Sequence, residues 1–93
     1  MKRYYRLAIH QNTVKNHTSS SGKAIFFNIA NGYTAANDSK EWFPLSQLVI
    51  GQPNECGWCE ILIPIWILKQ KNIAYSRLRE VEVWNGEEYI VER

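Results

Sequence analysis

The chain carries the run Val81-Glu82-Val83-Trp84, the dipeptide Asn85-Gly86, and then residues 87–91, which alternate again. An Asn-Gly step between two alternating runs is the strongest short-range hairpin signal, because both residues accept the positive φ that a tight turn demands. This commits the stretch to antiparallel pairing, and alternation of period two recurs upstream. Residues 3–10 place Tyr5, Leu7 and Ile9 on one side; residues 24–29 do the same with Ile25, Phe27 and Ile29. Glu41-Trp42-Phe43 is a short strand stopped by Pro44, which lacks a donor for the ladder. Residues 46–50 continue extended, with Ser46 also able to cap a single turn first. Residues 58–63 form a strand that runs straight into a helix at Pro64, where a missing N–H needs no partner. Asn72 suits the C-terminal cap, and Lys69 and Lys71 in the last turn complement the helix dipole. The polar residues 11–22, ending in Ser19-Ser20-Ser21-Gly22, and residues 31–39 read as loops. These elements predict an α+β fold. It is a mostly antiparallel β-sheet, or a small partly open barrel, of about five or six strands with one short helix and a C-terminal β-hairpin.

A length of 93 residues suits a single domain over residues 1–93 with a thin core. At 45% hydrophobic and 22% charged residues the chain has enough apolar material to fold, which excludes a disordered polyampholyte. The longest apolar run, residues 61–68, contains Pro64 and falls well short of the roughly 20 residues of a membrane span. Met1-Lys2-Arg3 is basic, but the stretch after it is broken by Arg6 and is too short for a signal sequence. A cytoplasmic protein with no membrane partner is expected. Cys56 and Cys59 alone do not make a secreted disulfide scaffold.

The motif Cys56-Gly57-Trp58-Cys59 invites a redox or zinc reading. A redox pair belongs at the start of a helix, which lowers the thiol pKa; here it leads from a turn into a strand. A zinc site needs two further ligands, for which only His10 and His17 are available. Ordinary turn and strand cysteines are the plainer expectation. Ser46 lacks the flanking glycines of a nucleophile elbow, and no phosphate-cradling glycine loop is present. The expectation is therefore no enzyme, no metal site and no cofactor.

Charge is distributed unevenly. The first 37 residues hold Lys2, Arg3, Arg6, Lys15 and Lys23 and no acid, whereas residues 80–92 hold Glu80, Glu82, Glu87, Glu88 and Glu92 and no base. If Tyr5, Leu7, Ile9, Ile25 and Phe27 face the core, Tyr4, Arg6 and Phe26 face outward, and two such strands side by side display them together. Rings beside guanidinium groups are what unpaired bases stack on. Tyr4, Arg6, Lys23 and Phe26 are thus candidates for contacting nucleic acid, unless both sheet faces are covered and Phe26 is core. In the hairpin, a two-residue turn would pair Trp84 with Glu87 and Glu82 with Tyr89. Glu82, Trp84, Glu87 and Glu88 then offer an acidic surface for a basic protein, or Trp84 is a surface-laid cross-strand ring.

Residues 41–48, Glu-Trp-Phe-Pro-Leu-Ser-Gln-Leu, belong to a wider pattern. Lys23-Ala24-Ile25 precedes them, and Ile63-Pro64-Ile65-Trp66 leads on through Lys71. Residues 23–73 in this respect resemble a loose group of small bacteriophage and prophage proteins with a Trp-x-Pro-x-Ser-Gln and Ile-Pro-x-Trp pattern. The resemblance implies a mobile-element origin and no particular catalytic residue. Physically, Trp42 and Trp66 are expected as core anchors, Pro44 as a strand end and Gln47 as a turn tie. The leading expectation is a non-enzymatic binding module that contacts nucleic acid through its basic, aromatic N-terminal half. The alternative is a protein–protein inhibitor of a host nucleoprotein such as a defence nuclease, of the anti-CRISPR kind, docking through the acidic hairpin.

Overall fold

The computed structural model describes residues 2–30, 33–34, 40–75, 77–84 and 88–89. Along the chain come β1 (Lys2–His10), α1 (Gln11–His17), β2 (Ala24–Ala30), β3 (Tyr33–Thr34) and β4 (Lys40–Pro44). After a 3₁₀ turn (Leu45–Gln47) follow β5 (Val49–Ile50), β6 (Trp58–Pro64) and α2 (Ile65–Gln70). A second 3₁₀ turn (Arg77–Arg79) leads to β7 (Glu80–Trp84) and β8 (Glu88–Tyr89). The strands form two antiparallel sheets, of order β5-β6-β1-β7-β8 and β3-β2-β4. The expected α+β, mostly antiparallel class holds, as two sheets and no closed barrel.

Strand parity decides what lies between the sheets. On β1, Tyr5, Leu7 and Ile9 stand opposite Ile63, Ile61 and Cys59 of β6. On β2, Ile25 stands opposite Phe43 of β4. Residues opposite one another share a face, and one cluster joins Tyr5, Leu7, Ile9, Ile61 and Ile63 to Ile25, Phe27 and Phe43 across the gap. The helix α2 adds Ile65, Ile67 and Leu68 to the same cluster. A smaller cluster lies on the other face of the first sheet, where Tyr4 and Leu62 are buried with Val49 and Val81 against them.

Residues 11–17, expected as loop, form α1. Only Val14 of this helix packs against the core, so no apolar periodicity marks it. It is held from outside instead: His10 caps it by accepting from the Asn12 amide (3.2 Å), Thr18 donates to the Val14 carbonyl (2.7 Å), and the Gln11 amide donates to the Gly57 carbonyl (2.8 Å). Gly57 has φ +87°, and a Cβ there would stand 2.8 Å from His10 Nε2. The strand-to-helix passage at Pro64 is as expected, and so is the cap: Asn72 has φ 59°. Its amide donates to Lys69 (3.1 Å) while the Ile73 amide donates to Leu68 (2.9 Å), a Schellman closure. In the hairpin, Val83 pairs with Tyr89 and Trp84 with Glu88, one residue away from the expected register. Asn-Gly suits a two-residue connection or a three-residue one, so the dipeptide dictates a hairpin without dictating its register; residues 85–87 themselves lie outside the described residues.

Candidate functional site

Among the described side chains three tryptophans are exposed: Trp66 (56%), Trp42 (49%) and Trp58 (47%). Trp42 and Trp66 are therefore not core anchors. The reason is parity in one case and saturation in the other. Phe26 and Trp42 are opposite one another on the outer face of the second sheet, because Ile25 and Phe43 already face inward. On α2, Ile65, Ile67 and Leu68 occupy the inner side, which leaves Trp66 on the outside. The chain thus carries large rings on its surface, and what surrounds each ring decides its use.

Around Trp42 the surroundings are other rings. The Trp42 ring meets Phe26 edge-on at 5.0 Å, and His17 stacks on Phe26 at 4.2 Å with an angle of 11° between planes. His17 Nδ1 also lies 3.1 Å from the Phe26 carbonyl oxygen. Trp58 meets His10 edge-on at 5.4 Å.

Around Trp66 the surroundings are charges. A cleft of about 350 Å³ opens where β1 begins, β6 passes into α2 and β7 starts; Lys2, Arg3, Lys69 and Arg77 line it with Trp66. Trp66 and Lys69 are three apart on α2 and hence neighbours on one helix face. Among the described residues, Glu80 is the one carboxylate of the lining. It is paired with the Arg3 guanidinium, and its side chain is mostly covered while that of Arg3 reaches outward. The described residues of the lining therefore sum to a net charge of +3, from four cations and one acid. Tyr75 forms part of its wall and meets the buried Tyr5 ring edge-on at 6.0 Å. Burial raises the Tyr5 hydroxyl above its ordinary pKa of 10.0, with Arg79 partly opposing.

The four residues expected to bind nucleic acid together do not share a surface. Tyr4 is buried in the second cluster and touches the cleft only from its floor. Arg6 is partly buried with its guanidinium 4.0 Å from Glu60. Lys23 is exposed before β2, and Phe26 lies half-buried under His17. The expectation placed β1 and β2 side by side; they belong to different sheets with the core between them. Of the acidic set, Glu82 is exposed and stands opposite Arg3. Trp84 and Glu88 are paired in register, but their side chains, and all of Glu87, lie outside the described residues.

Lys2, Arg3, Trp66, Lys69 and Arg77, which line this cleft, are not among the binding candidates that the sequence offered. The three-residue spacing of Trp66 and Lys69 on a helix and the acid-free start with Lys2 and Arg3 were available signals; nothing in the sequence around Arg77 brings it to the same place. Cys56 is exposed and Cys59 buried, and no group of three or more His, Cys, Asp or Glu side chains able to hold a metal occurs among the described residues. No helix among them is long and apolar enough to cross a membrane. Comparison with family models, curated proteins and solved structures finds no significant match to this chain.

Proposed function

We propose that this chain is a non-enzymatic binding module that holds nucleic acid in the cleft between β1, α2 and β7. The observation that carries the reading is an exposed indole, Trp66, set among Lys2, Arg3, Lys69 and Arg77. Cations track the phosphates and a ring accepts a base, which is the combination used by proteins that bind strands without strict sequence preference. Glu80, the single carboxylate among the described residues of the cleft, is engaged by Arg3, so a binding role suits the lining better than acid–base chemistry. We place such a module in a mobile-element setting, as the resemblance of residues 23–73 to small phage and prophage proteins implies.

Fluorescence anisotropy with labelled single-stranded and duplex oligonucleotides at low salt tests the reading. The wild type is expected to bind, and Trp66→Ala to weaken binding by about tenfold, within the range of one base stacked on a ring. The variant should melt close to the wild type, because truncating an exposed side chain changes stability by no more than about 0.5 kcal/mol. Absence of binding at low salt, or undiminished binding by a folded Trp66→Ala, overturns the proposal.

A further inference from the structure

Arg3, Arg77 and Glu80 have a second side. The same three residues form a wall of an adjoining hollow, also about 350 Å³, that continues along β7 to Val81 and Glu82. Two guanidinium groups and one carboxylate therefore make a ridge between two hollows. The hollows differ in charge. Lys2 and Lys69 add positive charge on the Trp66 side, whereas Glu82 balances the ridge on the other.

We propose that the ridge and its two hollows form a two-nucleotide track for single-stranded nucleic acid; this rests on the nucleic-acid reading of the cleft. One base stacks on Trp66. The linking phosphate lies on the ridge against Arg3 and Arg77, whose planar forks match phosphate oxygens. Glu80, mostly covered and bonded to Arg3, holds that guanidinium in place from behind. The next base occupies the second hollow, where a phosphate would be repelled by Glu82 but a base finds a carboxylate that accepts from its N–H groups. Val81 packs against Tyr4 and Leu62, so this wall is fixed to the sheet. A duplex does not fit the arrangement, since its bases are already stacked and paired and cannot reach a ring inside a cleft.

Competition against a labelled single strand, at constant ionic strength and pH 7, separates the track from simple charge attraction. Adenosine 5′-monophosphate carries about −1.5 to −2 charges, whereas the dinucleoside monophosphate ApA carries only one. Attraction by charge alone ranks the mononucleotide first. The track ranks ApA first, by about tenfold for the second seated base, with ApApA within about threefold of ApA. Arg77→Gln should weaken competition by ApA and by the mononucleotide, both of which place a phosphate on the ridge, while leaving competition by uncharged adenosine unchanged. A mononucleotide that competes as well as ApA, or a third nucleotide that adds as much as the second, overturns the track while leaving the cleft reading intact. Failure of the labelled strand to bind at all overturns both.

Discussion

At the scale of single residues, conformation and position matter more than size. Trp42 is larger than Phe43, yet Phe43 is fully buried and Trp42 half-exposed, because the inward direction on β4 is set by its pairing with Ile25. Asn72 illustrates the same point for the backbone. Its φ of 59° lies where a Cβ next to a carbonyl oxygen costs about 1–2 kcal/mol unless the residue is Gly or Asn. Asn72→Ala is therefore expected to lower stability by about 1 kcal/mol in urea denaturation, and Asn72→Gly to match or exceed the wild type. An alanine variant as stable as the wild type would mean the helix closes some other way. Tyr5 makes a pH-dependent prediction. Its ring is fully buried, its hydroxyl has no hydrogen-bond partner among the described residues, and burial raises its pKa above 10.0. A proton held more tightly in the folded state stabilises fully below pH 10, and that contribution is lost as pH rises through the folded value. Tyr5→Phe removes both the stranded hydroxyl and this titration. It should be neutral or up to about 1 kcal/mol stabilising at pH 7, and its stability should fall less than that of the wild type above pH 10. Parallel curves for the two proteins across that range would show that the hydroxyl reaches water or a partner.

At the scale of elements, what was legible in the sequence is what local periodicity and turn chemistry control. Alternation of Tyr5, Leu7 and Ile9 and of Ile25 and Phe27 identified β1, β2 and their inner faces. Pro64 and Asn72 bracketed α2, and Asn85-Gly86 marked the hairpin. Three features were not legible, each because a distant part of the chain determines it. The helix α1 has one packed apolar residue, Val14, and its first amide is bonded to Gly57, 46 positions away in sequence. The separation of β1 and β2 into different sheets depends on β6, which pairs with β1 only after most of the chain has been made. The hairpin register, Trp84 opposite Glu88, follows from a choice that Asn-Gly leaves open. The candidate site inherits this limit. Trp66 and Lys69 are adjacent on α2 by helical spacing alone, but Lys2, Arg3 and Arg77 join them only because β1 lies between β6 and β7.

At the scale of the whole molecule, the formal net charge of +2 is too small for the protein to attract a polyanion indiscriminately, so binding should depend on where cations are gathered. The cleft gathers Lys2, Arg3, Lys69 and Arg77, and Glu80 offsets one of them. That leaves charge sufficient for about three phosphates, and binding to a single strand releases counterions with a log–log slope near −0.7 per phosphate neutralised. A plot of log affinity against log salt concentration should therefore have a slope of about −2. Lys15 and Lys23 are exposed on other elements and provide the contrast. If the strand instead ran over the basic N-terminal surface at large, their charges would add and the slope would approach about −3.5. Lys15→Gln with Lys23→Gln should then flatten the plot. The cleft reading expects that pair of substitutions to leave the slope unchanged and Lys69→Gln to flatten it by about 0.7. A slope that responds to Lys15 and Lys23 but not to Lys69 would move the binding surface away from Trp66 and onto the outer side of α1 and β2.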